Sequence, residues 1–389
     1  MIKQYYKQAL AQLRQHPLIS IIGIVGTALS IFLIMLVVMM QQVKVAPFSP
    51  ESNRNRFLHV HYMSISHKDW GNGTSNGPMS VQTAREVYKS LKTPEAVTVY
   101  CCMTVSTPVS LPGAPAIGAD VRETDDTFFH VFDFQFTDGK PYDEATFTAG
   151  RPVAVITESI SRALFGSIQS VGKEFLLSHA PYRVVGVVKD VSTLADMAYG
   201  QVWIPFTSTN LSNDTWSDNH MGMMSVTLLA HDREDFDEIR AEAKRRMNEY
   251  NSILADQGYT LIDRNRPYDQ ETQSISFAAN LEPDLKAARR ERVIIFIILL
   301  LVPAINLSSM TQSRLRQRVA EIGVRRAFGS TRIEMVGQIV MENLVITLLA
   351  GAIGLLISIL FAYWGTDILF AQPYSCLLYT SPSPRDRTR

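Results

Sequence analysis

Four groups of residues have types and spacings that could do chemistry. The first is Gly166-Ser-Ile-Gln-Ser-Val-Gly172-Lys173-Glu174, which carries the glycines and the lysine of a phosphate-binding P-loop. That motif needs four residues between its glycines and a Ser or Thr after the Lys to hold magnesium. Here five residues intervene and Glu174 follows, so nucleotide binding is not expected. The second is His59 and His61, two apart and therefore on one face of a strand, with His67 nearby. Imidazoles at that spacing can share a metal. No Cys or acid lies between them, and the expectation is two surface histidines and no metal. The third is Cys101-Cys102, which could form a strained vicinal disulfide; a buried pair of thiols on alternate faces of a strand is expected instead. No Ser-His-Asp, paired-carboxylate or zinc-protease pattern has supporting context, although a triad assembles in space rather than in sequence. The chain is expected to be no enzyme and to bind no cofactor.

The fourth group is the most informative. Between Arg314 and Arg332 the chain holds six arginines, one acid (Glu321) and the glycines Gly323 and Gly329. A basic run at a membrane surface binds anionic headgroups at about 1 kcal/mol per residue, which accounts for the charge alone. It does not account for an acid and two glycines inside the run. Glu321, Ile322 and Val324, followed by Arg325 and Arg326, make a short helix with apolar and ionic groups suited to a protein groove. Gly329 can end that helix, and Thr331 with Glu334 forms a capping box that starts the next. A helix, a break and a second helix are predicted at the membrane surface.

The elements that position these groups follow from hydropathy. The chain has 389 residues, 37 basic and 37 acidic, with 46% hydrophobic residues. Zero net charge argues against a general nucleic-acid binder, and the apolar content excludes a disordered chain. Leu18–Met40 is uncharged and, at 1.5 Å per residue, spans roughly 35 Å as a helix, enough for a hydrocarbon core of about 30 Å. Lys3, Lys7 and Arg14 precede it. It is longer than the roughly 7–15 apolar residues of a signal peptide and lacks a small-residue cleavage site, so it reads as an uncleaved anchor. Val293–Ser309 spans about 25 Å and contains Pro303, Asn306 and Ser308. Leu344–Trp364 spans about 31 Å, and its Ala350, Gly354 and Ser358 share a face suited to close helix packing.

The Lys and Arg distribution puts both the N-terminus and the Arg314–Arg332 segment in the cytoplasm. Arg289, Arg290 and Arg292 then fall on the outer side, as residues flanking a long translocated domain can. The expected organisation is a cytoplasmic N-terminus (1–17), a first membrane helix (18–40) and an outer domain (41–292). A second membrane helix (293–310), a cytoplasmic segment (311–337), a third membrane helix (338–364) and an outer loop (365–374) complete it. Residues 375–389, rich in Ser, Pro and Arg, follow no upstream pattern and read as a non-native tail, the natural chain continuing into a fourth helix.

The outer domain mixes α and β signals and is long enough for two subdomains. Strands are predicted at Phe57–Ser66, Ala96–Val105, Val153–Thr157, Tyr182–Val191 and Met223–Leu229. Ser80 is a candidate cap for a helix burying Val81, Ala84, Val87 and Leu91. A short helix is predicted at Glu158–Phe165. A long one at Glu234–Ala255 carries a buried stripe of Phe236, Ile239, Ala243, Met247 and Tyr250. Leu281–Arg292 is expected to run as a helical stalk straight into the second membrane span.

The cytoplasmic stretch resembles the signature of the MacB/FtsX family of ABC-transporter permeases, an Arg-x-x-Glu-Ile-Gly-x-Arg-Arg-Ala-x-Gly-Ala/Ser run between two membrane helices. Arg318, Glu321, Ile322, Gly323, Arg325, Arg326, Ala327, Gly329 and Ser330 match it. Pro152–Gly166, Val171-Gly172-Lys173 and Tyr182–Asp190 resemble the core of the family's periplasmic domain, where Gly172-Lys173 would end a turn into a strand. The resemblance covers about residues 1–370. It implies a membrane α-helical protein with an extracytoplasmic α+β domain in the bacterial inner membrane, working as a homodimer or with a sister permease. It implies that Arg318, Glu321, Ile322, Gly323, Arg325, Arg326 and Gly329 couple to an ABC ATPase. With 17 residues before the first span, that ATPase, with its ATP and magnesium, is expected on a separate chain. A periplasmic adaptor, an outer-membrane channel and membrane lipid are further implied partners, with no nucleic acid. The implied function is transmission of ATP-driven motion to the outer domain for export or release of a periplasmic substrate. Control of periplasmic cell-wall hydrolases and a membrane-anchored sensor are the alternatives.

Overall fold

The computed structural model describes residues 17–364. The basic flank with Lys3, Lys7 and Arg14, the loop 365–374, the tail 375–389 and the expected fourth helix lie outside the described residues. The chain forms two compact units, one of apolar helices and one mixed.

Helix α1 (Pro17–Val45) overruns its expected end at Met40. Gln41 to Ala46 contain no Gly or Pro, and the helix stops just before Ala46-Pro47, because proline restricts the residue before it. Residues from Val43 onward belong to the mixed unit. There Arg54, almost fully buried, donates from Nη1 to the carbonyls of Val43 at 2.7 Å and Ala46 at 3.1 Å. Its Nη2 donates to the carbonyl of Leu194 at 2.8 Å and its Nε to Glu51 at 2.7 Å. Glu51, also buried, accepts the backbone N–H groups of Met197 at 2.9 Å and Ala198 at 3.0 Å. The Val43 carbonyl is among the last four of a helix, which have no partner inside it; Arg54 supplies one.

The mixed unit is built from β1 (Phe57–Val60), β2 (Met63–His67), β3 (Thr74–Gly77), β4 (Ala96–Cys101), β5 (Val105–Ser110), β6 (Ile117–Thr124) and β7 (Phe136–Gly139). These are followed by β8 (Val153–Thr157), helix α2 (Glu158–Phe165), β9 (Glu174–Leu177), β10 (Ala180–Val188) and β11 (Val202–Pro205). Then come β12 (Met224–Leu229), helix α3 (Phe236–Leu254), β13 (Tyr259–Ile262) and β14 (Tyr268–Asp269). Among the described residues, eleven strands form one sheet and β13-β2-β3 a second. Six strands of the large sheet close on themselves in the order β11-β8-β10-β9-β5-β6, with β6 pairing back in parallel onto β11. Side chains alternate across a strand, and here the alternation sorts two cores. Val109, Val121, Ile156, Phe175, Val184 and Val202 come from all six strands and fill the interior. Val155, Val188 and Trp203 point the other way, into an aromatic cluster with Phe128, Phe129, Phe132 and Phe134.

From β6 the sheet continues through β4, β12, β1 and β14. A third core beside these strands takes the α3 stripe of Phe236, Ile239, Ala243, Met247 and Tyr250, all buried as expected. Ser80 caps its helix, its hydroxyl accepting the Thr83 N–H at 3.1 Å. Three predicted strands differ, Tyr182–Val191 running instead from Ala180 to Val188. Phe57–Ser66 breaks at His61-Tyr62, so β1 joins the large sheet and β2 the small one. Its residues Phe57 to Val60 are buried on both faces, and such a run carries no alternation to mark where one sheet ends. Ala96–Val105 ends at Cys101.

Helix α4 (Leu285–Gln317) is unbroken from the predicted stalk through the second apolar span and includes Pro303. Helices α5 (Val319–Ala327) and α6 (Arg332–Trp364) follow. Ile21–Val45, Leu285–Ser313 and Arg332–Ala362 are long and apolar enough to cross a membrane. The face predicted to pack closely does so: Ala350, Gly354 and Ser358 are buried. A Cβ on Gly354 would sit 2.8 Å from the Ala28 carbonyl oxygen and 3.1 Å from Ile31. Phe32 meets Phe361 edge-on at 5.4 Å, and Thr311 donates to Asn343 Oδ1 at 3.0 Å between α4 and α6. Gly354→Ala is expected to destabilise the helical unit by about 1–3 kcal/mol through overpacking. Gly351→Ala, whose Cβ would meet only Ile31 at 3.8 Å, is expected to be neutral. Thermal unfolding of the two purified variants in detergent checks the contrast.

Candidate coupling segment

The segment between α4 and α6 has the predicted helix, break and helix. Arg318 precedes α5, and its fork holds Glu321 through Nε to Oε2 at 2.8 Å and Nη2 to Oε1 at 3.2 Å. Arg325 adds Nη2 to Glu321 Oε1 at 2.5 Å and reaches Gln338 Oε1 on α6 with Nη1 at 2.8 Å. The spacing explains the triad, since residues three and four apart are neighbours on a helix. The Arg318 hydrogen bond, more than the nearby arginine charges, holds the Glu321 carboxyl below its usual range. At this half-exposed site the triad is worth little in stability; it fixes geometry.

The break is a Schellman motif. Gly329 N–H donates to the Arg326 carbonyl at 3.1 Å and Ser330 N–H to that of Arg325 at 3.1 Å. Gly329 takes φ +93°, the left-handed turn that ends such a helix. The capping box is present: Thr331 N–H donates to Glu334 at 3.0 Å and Glu334 N–H to Thr331 Oγ1 at 3.3 Å. Around this frame Ile322 is half-buried and Gly323 is open to solvent. Arg326 is exposed with no ion pair among the described residues. Phe328 is 87% and Ile333 84% exposed, with Val319 and Val324 also out. Ile333, with Arg332 and Glu342, fits the looser downstream positions of the signature, whereas Gln338 and Phe328 carry no signal in it. Phe328 could have been singled out, as an aromatic ring placed where a helix must stop.

The other candidates resolve into structure. In the P-loop look-alike, Gly166 (φ +70°) ends α2 and Gly172 (φ +85°) turns into β9, its N–H donating to the Val184 carbonyl at 2.8 Å. Lys173 lies over the Phe165 ring at 5.2 Å. His59 and His61 are not on an exposed face. His59 is fully buried, its Nδ1 bonded to Thr227 at 3.1 Å and its Nε2 to Gln270 at 2.9 Å, and His61 Nε2 contacts Met197. Burial lowers their pKa values to about 3 and about 4. Cys101 is buried, Cys102 is half-buried, and both thiols are free. β4 ends at Cys101, alternation stops there, and a hydrogen bond from the Cys102 thiol draws the Cys101 thiol down to about 7.

Comparison with known proteins gives a consistent result. The family model of the MacB-like periplasmic core domain matches residues 18–246, and that of the FtsX-like permease C-terminal region matches residues 293–384. An uncharacterized ABC transporter permease, YknZ of Bacillus subtilis, is 22% identical over 61% of this chain and 55% of its own. A macrolide export ATP-binding/permease protein, MacB of Burkholderia cenocepacia, is 24% identical over 62% of this chain and 33% of its own. The chain thus spans between a third and about half the length of these relatives. The crystal structure of the periplasmic region of MacB from Actinobacillus actinomycetemcomitans aligns at TM-score 0.36 and 17% identity, over 52% of this chain and 88% of that one. With the core-domain match covering more than half of its length and the permease match following it, the chain belongs to the MacB/FtsX family of ABC-transporter permeases.

Proposed function

We propose that this chain is the permease subunit of an inner-membrane ABC transporter whose ATPase is a separate polypeptide, and that α5 is the surface that ATPase grips. The observation that carries the proposal is the pairing of a fixed frame with an open apolar rim. Arg318, Glu321 and Arg325 hold the helix in one geometry while Phe328, Ile333 and Val324 stay exposed. A buried aromatic anchor is the usual centre of a protein interface. Motion received there passes to the outer domain, which acts on a periplasmic cargo. A second permease subunit, a periplasmic adaptor and an outer-membrane channel complete the assembly in this reading.

The test is reconstitution of the chain with its cognate ATPase in lipid. Phe328→Ala is expected to weaken ATPase docking about 30-fold, a hot-spot loss of about 2 kcal/mol. Glu321→Ala and Arg325→Ala are expected to abolish stimulation of ATP hydrolysis while the chain still inserts. Stimulation retained in all three variants would remove the assigned role of the segment.

A further inference from the structure

An aromatic cleft opens beside the small sheet, in a region the proposed function does not use. Its volume is about 550 Å³, and it is lined by Trp70, Gly73, Thr74, Ser75, Trp216, Ser217, Asp218 and Tyr259. Sequence and backbone put the two tryptophans there by separate devices. Trp70 ends a short 3-10 turn after β2, and Gly71 at φ +58° turns the chain back into β3. The Gly73 N–H closes the turn on the Trp70 carbonyl at 2.9 Å. Trp216 begins a tight hairpin, exchanging backbone hydrogen bonds with Met221 at 3.0 and 3.1 Å. Ser217, Asp218 and Asn219 in that hairpin all take positive φ, at 52°, 53° and 66°. Three consecutive non-glycine residues in that region are costly, and such conformations concentrate at binding sites.

The floor is equally specific. Tyr259 packs at a tilt against His67, ring centres 4.5 Å apart, and stands edge-on to Trp70 at 5.8 Å. Trp216 Nε1 donates to Ser75 Oγ at 3.1 Å, which fixes the indole. Trp70 and Trp216 line the same open cleft, Trp216 also packing against the core beside it. Trp70 remains 39% exposed, more apolar aromatic surface than folding requires. Beside the two indoles the cleft is lined by Thr74, Ser75 and Ser217, which carry hydroxyls, and by the exposed Asp218.

We propose that this cleft is a saccharide-binding site, taking a short run of neutral sugar units. The complementarity is chemical. The faces of aromatic rings carry negative charge density, and the axial C–H groups on one face of a pyranose are their weakly positive partners. A carboxylate accepts hydrogen bonds through two oxygens, so Asp218 suits a pair of neighbouring sugar hydroxyls, while the serine and threonine hydroxyls donate or accept. A compact ammonium ion would need a tighter cage; this cleft is broad, and Lys68 lies next to it in the chain.

The experiment uses the full chain in detergent, titrated with chitotriose and with maltotriose and followed by tryptophan fluorescence and ligand-observed NMR. One of the two sugars is expected to bind saturably, in the millimolar range or tighter. Trp70→Ala and Asp218→Asn are each expected to weaken it at least tenfold, and the urea midpoint of Asp218→Asn is expected to stay unchanged, because that side chain is exposed and asparagine tolerates its positive φ. Absence of saturable binding by both sugars overturns the proposal. So does binding that neither variant weakens, since the sugar then sits elsewhere. Saturable binding of tetramethylammonium, lost in the same variants while both sugars fail, overturns it in favour of a cation site.

Discussion

Replacing Arg54 by alanine is expected to lower the stability of the mixed unit by about 3–5 kcal/mol, the cost of breaking a buried ion pair and leaving the other charge behind. Four donor contacts of one guanidinium are lost, to Glu51 and to the carbonyls of Val43, Ala46 and Leu194. Burial already raises the Glu51 carboxyl, with Arg54 as the main opposing influence, so removing Arg54 is expected to push it further up. The double variant Glu51→Gln with Arg54→Met distinguishes two sources of the loss. If the ion pair alone mattered, the double variant would recover most of the stability, as apolar replacements of buried pairs often do. The three carbonyls that Arg54 serves remain orphaned in either case, and an unsatisfied buried acceptor costs about 1–3 kcal/mol. Less than half of the stability is therefore expected to return. Urea unfolding of the detergent-solubilised protein, followed by the buried Trp203, measures both variants. Full recovery would show that the carbonyl contacts carry no weight.

The second large effect is on acid stability. Burial, then the neighbouring His61, hold His59 at about 3, and burial holds His61 at about 4. The charges facing them are Arg54 for His59, and Asp196 and Arg122 for His61. Both folded pKa values lie below the unfolded value of about 6.5. Below pH 6.5 the unfolded chain then binds more protons, and stability falls as pH drops towards 4 and 3. At pH 5 each histidine would cost about 2 kcal/mol at about 1.4 kcal/mol per unit. Glu123 works in the opposite sense. Burial raises it to about 7 despite the Thr209 hydroxyl it accepts at 2.5 Å. Its contribution is present below its unfolded value and lost as pH rises through 7. The slope of the wild type alone is therefore ambiguous. The difference between wild type and the His59→Gln, His61→Gln variant isolates the histidines, and the variant is expected to lose less stability between pH 6.5 and 4. Parallel slopes would mean that the imidazoles titrate normally in the folded chain.

What could be read from sequence was what neighbours in the chain decide. Val153–Thr157 and Glu158–Phe165 have the predicted bounds, since an apolar strand followed by Thr and Glu signals a capped helix locally. The Schellman turn at Gly329, the Thr331–Glu334 box and the Glu321–Arg325 pair span three to five residues. Contacts made at long range were not legible. His59 looks exposed until Thr227 and Gln270, 168 and 211 residues away, close over it. Arg325 meets Gln338 only because α6 folds back beside α5. Phe57–Ser66 divides because its halves serve different partners, β12 and β13. Arg54 sits in a polar loop that resembles any surface turn, and its burial depends on Leu194 from the other end of the sheet.

The closure of six strands through β6 and β11 also bears on how copies of this domain can meet. A ring of paired strands offers no row of unmade backbone hydrogen bonds. The outer ends of the large sheet are β14, two residues long, and β7, whose register against β10 shifts at Val187/Val188. Short and irregular edges are poor templates for another chain. The large sheet is therefore poorly suited to being extended by a second copy of the domain. A contact made at those ends would rest on side chains, which can part and re-form without tearing a ladder.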